Sequence, residues 1–284
     1  MSQRKYTEGR CHLCGSYGEL TFEHIPPQRA FNNRKTVSLS FEKAIRLGPD
    51  VVPRGPIHQR GVGAYTLCGS CNSRTGAWYA PGFIDWCYQG MEVLRLSDGH
   101  PSLFSLHYLF PLRVIKQIVT MFASVNSEWF GRKHPELVKF VLDKERKYLP
   151  DRYRLYAFYN LSDRFRYYGF VGRGDVLTSQ VVLFSEITYP PFGYVMTADS
   201  GPPDNRLVDI TDFASYDYSR FMVGSVRMPC LSVATHIPAD YRRREEIQRI
   251  DPKLEVEQTR LSESQMKDWK DSIEDASSRI DRNI

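Results

Sequence analysis

Six cysteines occur in the 284-residue chain, and four of them form two Cys-x2-Cys pairs, Cys11 with Cys14 and Cys68 with Cys71. No other feature limits the fold as tightly. The first ten residues are polar and charged, with no apolar run of the secretory kind, so the expected compartment is the cytoplasm. Disulfides are disfavoured there, and paired cysteines read as metal ligands. Four thiolates satisfy a tetrahedral structural zinc and leave it no open position, so this zinc is expected to staple the chain and not to catalyse. Gly15 follows Cys14 directly, where a tight knuckle turn favours a residue that tolerates positive φ. Cys87 and Cys230 stand alone among apolar neighbours and read as core residues.

Charge is concentrated around the same cysteines. Residues 1–76 hold 11 Lys and Arg against 5 Asp and Glu, whereas the whole chain carries only +5. A local positive field favours a polyanion such as nucleic acid. Apolar residues make up 42% of the chain and charged residues 25%, the balance of a chain that buries a core, which excludes disordered and collagen-like classes. Apolar runs fall far short of the roughly 18 residues needed to span a bilayer, so a membrane partner is not expected.

Three sections follow from the punctuation. Residues 1–98 contain both cysteine pairs, a helical stretch over Phe83–Leu96 and a break at Ser97-Asp98-Gly99-His100-Pro101. Residues 99–235 begin helical, with Leu112, Ile115, Val119, Phe122 and Val125 at spacings of three and four, and Pro135 opens a further helix. Short aromatic and β-branched segments come next, at Tyr153–Tyr159, Arg164–Val171, Gln180–Ile187, Phe192–Thr197 and Arg206–Ile210. They predict a mostly antiparallel sheet. Residues 236–284 are polar and end in an apolar stripe, Met266, Trp269, Ile273, Ala276 and Ile280, that predicts one helix face, with Ser262 and Gln265 as its capping box. The fold class is α+β.

Between the cysteine pairs lies Leu20-Thr21-Phe22-Glu23-His24-Ile25-Pro26-Pro27, an alternating strand that ends in an acid–histidine pair, and Asn72 follows Cys71. The order Cys-x2-Cys, Glu-His-Ile-x-Pro, Leu-Cys-x2-Cys-Asn resembles the HNH endonucleases, also called His-Me or ββα-metal nucleases. Among these it is most similar to zinc-stapled members with Cys-Asn at the helix start, such as phage Holliday-junction resolvases. The resemblance covers about 70 residues, from Cys11 to near Tyr79. It implies an N-terminal treble-clef module that hydrolyses phosphodiester bonds of DNA, or of RNA, in prokaryotic or phage defence or mobile-element biology. It also implies that His24 is the general base, and that Glu23 and Asn72 hold a catalytic Mg²⁺ or Mn²⁺. These residue types suit the reaction. Hard divalent cations prefer oxygen ligands, and an unperturbed imidazole titrates near working pH.

Departures from the family pattern are visible. Glu23 stands where Asp or His is usual, and Gly63 and Gly76 occupy the places where many members carry Asn and a helix His. The 43 residues between His24 and Cys68 form a basic insertion. Its Arg29, Arg34, Lys35, Arg54 and Arg60, with Arg74 on the following helix, are the expected phosphate contacts. A regulatory protein or ligand acting through residues 99–284 is a further expectation. The competing reading is a catalytically inactive treble-clef zinc finger that binds nucleic acid or a protein within an assembly.

Overall fold

The computed structural model describes residues 7–40, 43, 55–97, 100–162, 164–175 and 180–250. The C-terminal stripe from Met266 to Ile280, the capping box at Ser262, and Arg54 lie outside the described residues. The chain is mixed α and β, with a small sheet and a large one joined by helices.

The small sheet is antiparallel in the order β1 (Thr7–Arg10), β2 (Tyr17–His24), β5 (Gly63–Cys68). Two short strands, β3 (Thr36–Val37) and β4 (Ile57–His58), pair inside the basic insertion. Cys68 ends β5 in an extended conformation, and α1 (Gly69–Arg95) starts at the next residue. The helix start at Cys71-Asn72 and the helical stretch at Phe83 are therefore parts of one helix of 27 residues, despite Pro81 inside it. An interior proline removes a backbone hydrogen bond and costs about 3 kcal/mol. Burial of Tyr79, Phe83, Trp86, Cys87, Met91 and Leu94 along this helix opposes that cost. Gly90 lets the helix approach the large sheet: a Cβ there would lie 2.1 Å from Cζ of Phe192, the ring that stacks on Trp86 at 4.8 Å.

The large sheet has the path β6 (Ser102–Leu109), β12 (Met222–Leu231), β7 (Tyr153–Asn160), β10 (Phe192–Ala198), β9 (Gln180–Tyr189), β8 (Arg166–Asp175), with β11 (Val208–Asp209) also on β7. All pairings are antiparallel except the short β12–β7 contact at Cys230 and Leu231. The section after the break thus begins with a strand and not with the expected helix. The pattern at Leu112 belongs to α2 (Pro111–Val125), which follows β6. Two small helices, α3 (Phe130–Lys133) and α4 (Pro135–Leu142), lead to β7, and α5 (Arg244–Ile250) ends the described chain.

Period-two alternation splits β7 between two cores. Tyr153, Leu155, Ala157 and Tyr159 join the cluster around α1 and α2. Tyr156 and Phe158 join a second cluster with Phe184, Val195, Val233 and Tyr241. The first cluster is continuous from Cys11 and Leu13 to Met228 and Cys230. Cys87 and Cys230 are buried in it, as lone apolar cysteines should be. No helix among the described residues is long and apolar enough to cross a membrane.

Candidate metal centre and the strand beside it

Two local structures bring the four thiols together. The first is the turn between β1 and β2, closed by Cys11 N–H to Ser16 O at 2.9 Å and Gly15 N–H to Cys11 O at 2.9 Å. Gly15 has φ +73° there, the left-handed conformation that favours glycine. The second is the end of β5 and the first turn of α1, which carry Cys68 and Cys71. Pairing of β2 with β5 sets Leu20 opposite Cys68 and so docks one structure on the other. The ligand atoms of Cys11, Cys14, Cys68 and Cys71 all lie within 4.8 Å of one another. Sγ of Cys14 and Sγ of Cys68 are 3.8 Å apart. A tetrahedron with zinc–sulfur bonds of about 2.3 Å has edges of about 3.8 Å, so the cluster is of the size to hold a metal ion such as zinc.

The thiols also share charge unevenly. The Cys71 thiol hydrogen-bonds to Cys11 and pulls the Cys11 pKa down to about 4, with backbone N–H groups of Cys68, Cys14 and Leu13 assisting and burial opposing. The same bond pushes Cys71 far up, and burial raises Cys68. One thiolate is thus stabilised by its neighbours' protons. A divalent cation replaces those protons and permits all four thiolates at once.

Three residues in β2 and α1 were expected to converge. A register shift between Thr21 and Phe22 interrupts the β2–β5 ladder. Beyond it, pairing continues to His24 opposite Gly63, so the acid–histidine pair lies within the paired strand. Successive side chains then point to opposite faces. The rings of Phe22 and His24 touch edge to face at 5.0 Å and share a face. Glu23, between them, turns inward and is 6% exposed.

On the inner face, Ser124 Oγ–H of α2 donates to Glu23 Oε2 at 2.5 Å, and Thr66 Oγ–H donates to Ser124 Oγ at 3.0 Å. Burial raises the Glu23 acid to about 7. The Cys11 charge adds to the rise, while Ser124 and Thr66 oppose it. On the outer face, His24 Nε2 lies 3.0 Å from the Arg60 carbonyl. A carbonyl only accepts, so Nε2 carries the proton and Nδ1 is left as the basic nitrogen. Asn72 donates its amide to Thr21 Oγ1 at 3.0 Å and to the Phe22 carbonyl at 3.4 Å. Its Oδ1 has no hydrogen-bond partner among the described residues. The structure brings Asn72 beside β2 at Thr21 and Phe22, and turns Glu23 and His24 to opposite faces of the strand. The Glu23 carboxylate is engaged by Ser124 on the inner face and is not turned toward His24, so this arrangement does not support the expected Mg²⁺ or Mn²⁺ site.

Most of the basic residues described are on the surface. Arg29, Lys35, Arg60 and Arg74 are exposed and Arg34 is half-buried. Arg74 lies over the Trp78 ring at 5.3 Å. Arg34 carries its main-chain carbonyl to Gly61 N–H. A residue that the sequence reading missed orders this part of the insertion. Asn32, fully buried, donates to the carbonyls of Pro26 and Val62 and accepts from Val62 N–H, each at 2.7 Å. This places Arg60 beside His24. Asn32, Thr66 and Ser124 carry no motif, and a small polar residue buried by remote packing leaves no local signal.

The two glycine departures differ in kind. A Cβ at Gly63 would meet the Glu23 carbonyl oxygen at 2.1 Å, whereas a Cβ at Gly76 meets nothing within 4 Å. In comparisons with protein-family models, curated proteins and solved structures, nothing matches this chain.

Proposed function

We propose that residues from Cys11 to about Tyr79 form a treble-clef module of the HNH kind, stapled by zinc, that hydrolyses DNA phosphodiester bonds with His24 as general base. The observation that carries this reading is the state of His24. It sits at the outer end of β2, and the Arg60 carbonyl holds Nε2 and leaves Nδ1 free to take a proton from water. The four thiolates fix this strand to the helix that carries Asn72. Exposed Arg29, Lys35, Arg60 and Arg74 supply the positive surface that a phosphate backbone favours. No residue is assigned to a hard cation, because Glu23 lies on the face of β2 opposite His24.

That same burial supports a second reading, a zinc module that binds nucleic acid without cutting it. Cleavage of supercoiled plasmid by the zinc-loaded full chain separates the two, with Mg²⁺ or Mn²⁺ present. The nuclease reading expects nicking that falls by about 10²–10⁴-fold in His24→Ala, the usual contribution of a general base. Equal cutting by both chains refutes the role of His24. Retention of plasmid without cutting by either chain establishes the binding reading.

A further inference from the structure

We infer that the outer face of β6 and β12 is a homodimer interface, on which a second copy of this chain packs sheet to sheet about a two-fold axis. The inference does not rest on the nuclease reading. Along β6 the side chains alternate: Ser105, His107 and Leu109 are buried, whereas Phe104, Leu106 and Tyr108 are 71%, 58% and 54% exposed. On the neighbouring strand Val223 stands opposite Tyr108 and is 53% exposed, and Phe221 just before it is 51% exposed. A surface strand of a single molecule normally turns polar residues to water. Here the polar residues of β6 face inward and the apolar ones face out.

Charge and edge both favour a copy over another kind of partner. Strand β6 has no charged residue, and Arg227, opposite Phe104, is the one charge that β12 contributes. A two-fold contact sets a patch against itself, so an uncharged centre avoids like-charge repulsion and one basic residue at the rim is tolerated. The open edge of β6 is closed in part: Gln89 of α1 accepts from Tyr108 N–H at 2.7 Å and donates to its carbonyl at 2.8 Å. A partner therefore covers the face, as stacked sheets do at a spacing of about 10 Å, and does not extend the ladder.

The area suits this occupant. At about 200 Å² per aromatic side chain, the exposed parts of Phe104, Tyr108 and Phe221 give about 350 Å², and Leu106 and Val223 bring the patch near 500 Å². Two copies bury on the order of 1,000 Å², the lower bound for a specific interface.

Sedimentation equilibrium of the zinc-loaded full chain, between about 1 and 100 μM, tests the inference by mass action. A dimer is expected. Leu106→Lys places an unpaired charge at the centre and should weaken association at least a hundredfold, with zinc content unchanged and a melting temperature equal to that of the dissociated wild-type chain at low concentration, because the side chain is exposed in the monomer. Phe104→Glu should act in the same way. A monomeric full chain overturns the inference, and so does a dimer that neither substitution weakens. If the full chain is monomeric and a chain ending at Ile250 dimerises, residues 251–284 occupy the face instead, which also overturns it.

Discussion

Glu23→Gln separates a buried strut from a metal ligand, and its size follows from the environment of the carboxyl. Glu23 titrates near 7 in the folded chain against an ordinary value of 4.5, with burial as the main cause. The folded state therefore holds its proton over a range where the unfolded state has lost it. A group with a raised folded pKa contributes its full stability below the unfolded value, and that stability is lost as pH rises through the folded value. The window runs from about pH 4.5 to just above 7. A difference of about 2.5 units at 1.36 kcal/mol each amounts to about 3 kcal/mol. Glutamine copies the neutral acid at every pH, and its amide oxygen can still accept from Ser124. Urea unfolding of the zinc-loaded protein should then give stabilities within about 1 kcal/mol of each other near pH 5, where the window has only begun. At pH 9 the variant should be the more stable by up to about 3 kcal/mol, an upper bound because an ionised carboxylate relaxes toward water. A stability difference independent of pH refutes the reasoning, as does a wild type that is the more stable chain at pH 9. Plasmid cleavage adds a second measure: a ligand of the catalytic ion would lose activity on this change, and a strut would not.

Other substitutions probe different parts of the structure. Arg166 and Glu186 form a buried pair at 2.6 Å, and Arg166 also donates to the carbonyls of Thr235, Ile237 and Asp240 while Glu186 accepts from Ala239 N–H. Arg166→Met leaves Glu186 charged and unpaired, so a loss of about 3–5 kcal/mol is expected, with faster amide exchange at Ala239; unchanged exchange there would show that the pair does not hold this segment. Gly63→Asn should destabilise the chain by more than about 1 kcal/mol through its clash with the Glu23 carbonyl, whereas Gly76→His should stay within about 0.5 kcal/mol of wild type in open space. Equal thermal shifts for these two variants would contradict the geometry.

The cysteine frame was legible because its information is local. Spacing of two residues, a glycine at the turn and an asparagine at the helix start each express a constraint within a few residues, and the thiols converge as expected. The strands from Tyr153 to Ala198 were legible for the same reason, since β-branched and aromatic runs are bounded by turn residues. The strands that were missed lack such signals. In β6 the apolar residues that mark a core face point to solvent, and β12 contains Gly224 and Pro229, residues that argue against a strand. The placement of Glu23 failed differently. Alternation along a strand sends Glu23 and His24 to opposite faces, and local sequence does not say which of the two faces inward. The choice was made by a tertiary contact, because the strand stays paired to Gly63 while Ser124, 101 residues away, binds the carboxyl.

That contact ties the metal centre to the rest of the molecule. The turn bearing Cys11 and Cys14 accepts Gly131 N–H at His12 O, and His12 Nδ1 lies 3.1 Å from the Ala123 carbonyl at the end of α2. Glu23 binds Ser124 on the same helix. Gly131 has no room for a side chain, since a Cβ there would lie 2.1 Å from the Leu13 carbonyl oxygen. The knuckle and β2 thus rest on one end of α2, whose residues are buried almost all round within the main cluster. A metal ion held by the four thiols would fix them to one another, but it would not set how β2 lies against α2. That packing decides which face of β2 is inside, and with it whether Glu23 or His24 meets solvent. His24 stands on the outer face while Glu23 is satisfied within, so the role proposed for His24 depends on a buried acid on the opposite face of the same strand.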